Sequence, residues 1–397
     1  MSAAATPTHA DLLAAACDLL TRTSGRIPTH AAQAPGRVNL IGEHTDYALG
    51  YVLPIAIDRW TVAVGALTDG PRNRVYSAST SDPCAFELRT DPRTTLPPGH
   101  WGRYAAGVLA LLSQLADRHD LPALDIALAS SVPPGSGLSS SAALEVSLAT
   151  LASALWNVPI QPDQIARLCR SAEDVYAGVP CGIMDQMISA CALESHALLI
   201  DCRDERATPI PLPPAEETAW VITNSGVRHT LASGAFAERR AAGEWAAAAL
   251  GITSLREATP WLIADSRTHL SAEEARCAAH VISENQRVLE FVAALTTGDH
   301  EQAGRLMLAS HVSLRDDLRV SCVELDALVE AAMKLPGVYG SRMTGGGFGG
   351  CTVTLCRADA AAQVADALSR AAARPGTTAH PAFIARAVGR ASLLPIP

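Results

Sequence analysis

The stretch Val132-Pro133-Pro134-Gly135-Ser136-Gly137-Leu138-Ser139-Ser140-Ser141-Ala142-Ala143 decides how the rest of the chain is read. Ahead of it, Leu124, Ile126 and Leu128 alternate with smaller or polar residues up to Ser130, the period of a half-buried strand. Pro133 and Pro134 end that strand, because neither can donate to a ladder. Behind the glycines, Leu144, Leu148, Leu151 and Leu155 recur at helical spacing. Val146, Ala149 and Ala152 leave no strongly polar face except near Glu145. Such a helix is buried on nearly all sides. Strand, Gly/Ser loop and helix N-terminus together make an anion site: glycines admit backbone N–H groups, the dipole favours negative charge, and serine hydroxyls add donors or a metal ligand. The plainer reading is a glycine turn with serine caps, but a cap needs one serine and three stand in a row. No Gly-Lys-Ser/Thr follows, so this is not a P-loop. Lys334 is the only lysine of the chain, which leaves arginine or a metal as the cation beside a phosphate.

A length of 397 residues points to two domains, each able to bury a core, and the Pro209–Pro214 run is the best boundary between them. A formal net charge of −9 argues against a nucleic-acid surface. The N-terminus lacks the basic and apolar regions of a signal peptide, and no apolar stretch is long enough to span a bilayer. Ten scattered cysteines without a C-x-x-C pair read as buried or free thiols of a reducing compartment, hence a cytoplasmic chain. No obligate protein partner is evident.

Upstream, Asp11–Thr23 reads as an amphipathic helix. Val38–Ile41 reads as a short strand that releases Glu43, His44, Thr45 and Asp46 after Gly42, with Arg37 ahead of it. That polar group fits a capped surface turn, a metal site, or carboxylates and an imidazole converging on sugar hydroxyls. Strands are expected over 51–66, 74–77 and 85–89, and helices over 101–116 and 161–175, the latter carrying Glu173. In Gly178–Ala190 a Gly/Pro turn leads into an apolar helix whose first turn holds one acid, Asp185, either a helix cap or a poised carboxylate. After a strand at 198–201 and another from Trp220, helices are expected over 236–250, 272–297, 300–315 and 323–334. Gly345, Gly347 and Gly350 match G-x-G-x-x-G, but a strand (351–356) follows where a dinucleotide fold needs a helix. A second glycine loop packed on the first is the better inference.

Three stretches in this order, Gly36–Tyr47, Pro133–Ala143 and Thr344–Gly350, resemble the GHMP small-molecule kinases, and within them the branch that phosphorylates galactose. Cys181–Gln186, His280–Glu290 and His311–Asp326 are similar as well, so the resemblance covers nearly the whole chain. It implies an α+β fold: an N-terminal α/β domain like domain 2 of ribosomal protein S5 (residues 1–208), then a ferredoxin-like domain (209–397), with the active site between them. It also implies ATP as co-substrate and Mg²⁺. Gly135, Ser136, Gly137, Leu138, Ser139, Ser140 and Ser141 would wrap the phosphates, Trp101 would contact adenine, and Ser141 and Glu173 would hold the metal. Glu43, His44, Thr45, Asp46, Gly182 and Phe236 would form the sugar site. Asp185 would take the proton of the anomeric hydroxyl, with Arg37 stabilising charge beside it. Ala48 stands where that branch usually has Asn, and Phe236 where it usually has a sugar-contacting Tyr; Thr223-Asn224-Ser225, Arg228-His229 and Arg239-Arg240 anchor the alignment there. An anomeric kinase of arabinose, N-acetylgalactosamine or a uronic acid, and a non-catalytic sugar and ATP sensor, are the alternative readings.

Overall fold

The computed structural model describes residues 7–88, 90–118, 121–227, 232–264, 270–373 and 382–396. The Arg228-His229 anchor and Arg89, the expected end of a strand, lie outside them.

A mixed six-stranded sheet forms the first half, in the order Ser392–Leu394, His30–Asn39, Pro54–Thr68, Ala123–Ser130, Asn73–Ser77 and Thr80–Phe86. Asn73–Ser77 runs parallel to Ala123–Ser130, and the other pairs are antiparallel. Strand periodicity sorts its side chains: Val62 and Val64 meet helix His9–Ser24 on one face, while Ala63 meets the larger helical layer on the other. Helix Ser140–Trp156 is central to that layer, with Ala142, Ala143, Val146, Leu148, Ala149, Leu151 and Ala152 all fully buried. Two strands differ from the sequence expectation. The strand carrying Arg37 spans His30–Asn39 rather than Val38–Ile41, because the small Ala31, Ala32 and Ala34 pair with Pro54–Thr68 without any large apolar signal. The strand expected at 85–89 instead runs Thr80–Phe86, where polar residues on an exposed edge hide the alternation.

The second half centres on a four-stranded antiparallel sheet, Val338–Thr344, Cys351–Arg357, Thr218–Asn224 and Ala382–Ala385 in spatial order. Helices Val323–Met333 and Ala361–Ala372 cover one face through Val221 and Cys356. The other face, with Ile222, Val353 and Leu355, joins Phe291 and Met307 of helices Ala272–Thr297 and His300–Asp316. That cluster continues into Val38, Leu40, Ile55 and Leu138, so one apolar core runs under the cleft and holds both halves in register. A three-stranded sheet (Tyr51–Val52, His196–Asp201, Arg206–Pro211) lies between them, and its last strand includes residue 209. Ser392–Leu394 brings the end of the chain back to the first sheet. All ten cysteines are free. Among the described residues no helix is long and apolar enough to cross a membrane.

Candidate active site

The glycine loop turns at Gly135 (φ 70°), Gly137 (φ 77°) and Ser139 (φ 59°). Left-handed backbone is cheap for glycine but strained for serine, a form of strain that gathers at functional sites. Ser139 occupies the N-cap of Ser140–Trp156, yet its hydroxyl caps nothing. It donates instead to Oδ2 of Asp185, so the helix N-terminus is left open toward the cleft. The second glycine loop packs on the first as expected: a Cβ at Gly345 would stand 3.2 Å from the carbonyl oxygen of Gly137.

Asp185 sits in the first turn of helix Met184–Cys191, whose N-cap is Ile183, and the capping reading fails. Its carboxylate receives Nε and Nη2 of Arg37 at 2.8 Å each, a bidentate fork, together with the Ser139 hydroxyl. Arg37 is 5% exposed and its Nη1 donates to the carbonyl of Gly137, so one guanidinium ties the strand, the glycine loop and Asp185 together. The Asp185 side chain keeps 27% of its surface open.

Asp46 faces this pair. Burial, aided by the nearby Asp185 charge, pushes its carboxyl up to about 6. A Cβ at Gly182 would collide with that carboxylate, which is the physical reason for glycine there. His44 (φ 61°) approaches the carbonyl of Gly346 with Nε2 at 3.1 Å and the Tyr47 hydroxyl with Nδ1 at 2.9 Å. A carbonyl can only accept, so Nε2 carries the proton and Nδ1 accepts from Tyr47. Burial and the neighbouring His280 bring this imidazole down to about 3, so it is neutral. Phe236 is half-buried against both rings, with centroids 5.2 Å from His44 and 5.8 Å from Tyr47.

The remaining signature residues turn inward. Thr45 spends its hydroxyl on the carbonyls of Gly42 and Tyr51, at 2.8 and 2.7 Å. Glu43 is 2% exposed: Oε1 accepts from Thr344 Oγ1 and the Gly345 N–H at 3.0 Å each, and Oε2 meets Arg342. Arg342 has no exposed surface, and its Nη2 lies 3.7 Å from the equally buried Glu284. Burial works against the Glu284 charge, yet His280, Arg287 and Arg342 together hold its carboxyl down at about 2. Glu43 therefore pins the signature loop to the second glycine loop, and its oxygens are already engaged. Ala48 is buried against Ala246 and Ala247, away from this polar group.

Behind Asp185 lies a second acidic set. Helix Pro162–Ala172 ends in a π turn at Glu173–Ala177, a distortion common at functional sites. Burial, with Asp185 nearby, lifts the Glu173 carboxyl to about 7, while hydrogen bonds from Ser141, Cys181 and Gln186 oppose the rise. Glu145 and Gln186, neither assigned a role from sequence, complete the set. Their signal was a polar residue at a core position of an apolar helix. Trp101 stands apart on the edge of the first core, donating its indole N–H to the Asp82 carbonyl at 2.9 Å and stacking on His100.

This geometry combines an open anion-binding helix end, a carboxylate in an arginine fork, and a polar pocket of hydroxyl-binding groups. Comparison with known proteins agrees. Residues 21–67 match the galactokinase galactose-binding signature, residues 103–192 the GHMP kinases N terminal domain, and residues 291–374 the GHMP kinases C terminal domain. A galactokinase of Bos taurus is 47% identical, over 92% of this chain and 93% of its own length. The chain belongs to the galactokinase family. A second galactokinase, from Chloroflexus aurantiacus, is 46% identical over 84% of this chain and 86% of its own. The crystal structure of Lactococcus lactis galactokinase complexed with galactose superposes with a TM-score of 0.87 at 28% identity, covering 96% of this chain and 99% of that one. The galactokinase relationship spans both sheets, so the two-domain α+β fold implied by the motifs stands.

Proposed function

We propose that this chain transfers the γ-phosphoryl group of ATP to the anomeric hydroxyl of D-galactose, giving α-D-galactose 1-phosphate and ADP. The observation that carries this reading is the Arg37–Asp185 fork, whose acid keeps 27% of its side chain open and lies close enough to Asp46 for the two charges to interact. Asp185 accepts the proton of the attacking hydroxyl, and Arg37 holds that carboxylate in place while offsetting charge on the phosphoryl group. The transition state of such a transfer is loose, so positioning and charge stabilisation carry most of the catalysis. Gly135–Ser141 and the open helix end receive the phosphates, and Trp101 meets adenine. Asp46 binds hydroxyls, and Gly182 gives the sugar close access. Both ring nitrogens of the neutral His44 are taken by Gly346 and Tyr47, so His44 shapes the sugar site by fixing those two and by packing on Phe236, an apolar wall. Glu43 and Thr45 hold the loop beneath them.

Mg²⁺ fits the residues present. The described residues contain no cluster of three or more His, Cys, Asp or Glu arranged to hold a metal. Mg²⁺ needs no such cage, since it takes one or two protein oxygens and completes its shell with water and phosphate. Ser141 and Glu173, which hydrogen-bond to each other, would supply those oxygens, and the ion would neutralise phosphate charge. The expected division at 208/209 falls within strand Arg206–Pro211, so we place the boundary just after that strand, with Ser392–Leu394 returning to the first sheet. We place the protein in the cytoplasm, consistent with ten unpaired thiols, with no obligate protein partner.

An ADP-release assay over galactose, arabinose, N-acetylgalactosamine and galacturonate tests the assignment. Galactose should give the highest kcat/KM; a clear preference for another sugar, or no turnover with any, would overturn it.

A further inference from the structure

Ser141 and Glu145 lie one turn apart on the same face of Ser140–Trp156. Gln186 follows Asp185 on the facing helix, and while Asp185 turns to Arg37 and Ser139, Gln186 turns the other way. Its amide nitrogen lies 3.1 Å from Oε2 of Glu145 and 2.6 Å from Oε2 of Glu173. Carboxylate oxygens accept, so the NH₂ end of the amide faces them and divides its two hydrogens between the two acids.

Packing does not explain this group. Glu145 and Gln186 have no exposed surface, and one oxygen of each, Oε1 in both cases, has no hydrogen-bond partner. Buried polar atoms left unpaired are costly, and Leu or Met would fill the same volume without that cost. What the arrangement does provide is a fixed orientation for Glu173, which enters from the less regular π turn. Partners behind a metal ligand commonly serve this purpose.

We propose that Gln186 is a positioning residue of the cation site: braced by Glu145, its amide fixes the Glu173 carboxylate toward Ser141 and couples that orientation to the helix start bearing Asp185. This inference rests on the Ser141–Glu173 cation reading given above. Replacing an outer partner of a metal ligand lowers metal affinity by about 10- to 100-fold.

Electron paramagnetic resonance titration of the full-length protein with Mn²⁺, at saturating non-hydrolysable ATP analogue, reads the effect directly. Gln186→Leu should weaken Mn²⁺ binding by at least ~10-fold and leave the galactose dissociation constant, measured by calorimetry, within about twofold. Glu145→Leu should weaken Mn²⁺ in the same direction. Glu145→Gln, which keeps an acceptor oxygen for Gln186, should restore most of the affinity. A purely structural role would lower the urea midpoint and leave Mn²⁺ affinity untouched. Gln186→Met serves if the leucine variant does not fold. Glu173→Gln separates the two levels of the argument. Loss of Mn²⁺ in Glu173→Gln with parental affinity in Gln186→Leu would overturn the positioning role alone. Parental affinity in Glu173→Gln would overturn the cation reading and this inference with it.

Discussion

Two arginine–carboxylate pairs flank the cleft, and they differ in access. Arg37–Asp185 is a bidentate fork whose acid keeps 27% of its side chain open. Arg342–Glu43 is closed, with 0% and 2% of the side chains exposed, and further partners at Ser310, Thr344 and Gly345. The chemistry of the groups is the same. An open pair can receive a hydroxyl, whereas a closed pair can only hold a loop against the strand beside it. On the proposed function the first pair carries catalysis and the second architecture, and each role can be broken separately.

The largest expected effect is on turnover. Asp185→Asn keeps the shape of the acid and a hydrogen bond to Arg37 but removes the proton acceptor. It should cut kcat by roughly 10²- to 10⁴-fold, with the galactose dissociation constant nearly unchanged. Near-parental turnover would reduce the open pair to a structural contact.

The closed pair should show the reverse pattern. Arg342→Met leaves Glu43 and Glu284 buried without their shared cation, and breaking such a pair costs about 3–5 kcal/mol. Urea unfolding should register that loss, far exceeding the change caused by Asp185→Asn. Similar unfolding midpoints for the two variants would erase the distinction.

Sequence made one of these pairs legible and concealed the other. Arg37 and Asp185 stand in two motifs, each an isolated charge in an apolar stretch, so both could be singled out. Arg342 precedes a glycine loop within an ordinary strand, and nothing local ties it to Glu43 in a turn early in the chain. The signature motif therefore implies a sugar ligand at Glu43, whereas its oxygens are engaged by the C-terminal half. The large elements were legible for a related reason: the helices His9–Ser24, Gly102–Leu115 and Ala272–Thr297 announce themselves by local periodicity. Strands that depend on alanine or on distant partners, such as His30–Asn39 and Ser392–Leu394, do not.

A pH profile sharpens the comparison on the open side. Burial and Asp185 raise the Asp46 carboxyl to about 6, so it gains a proton as pH falls through that value. On the proposed function its ionised form accepts from sugar hydroxyls, and kcat/KM for galactose should therefore drop on the acid side of pH 6, approaching roughly tenfold per unit. Asp46→Asn should flatten that limb; an unaltered limb would place the titrating group elsewhere.

The smallest effect concerns the apolar wall. Phe236→Tyr adds one hydroxyl beside His44 and Gly346. One net hydrogen bond is worth about 0.5–1.5 kcal/mol, or roughly 2- to 12-fold in affinity. The galactose KM should fall by several-fold with kcat little changed. A rise would mean that Phe236 does not face the sugar.

The account depends most on where the phosphoryl group goes, and phosphorus-coupled proton NMR of the product made from galactose and ATP shows this directly. Proton–phosphorus coupling at the anomeric C1 position, with the α configuration, is the expected result. Coupling at C6 or any other carbon would contradict the placement of the anomeric hydroxyl against Asp185.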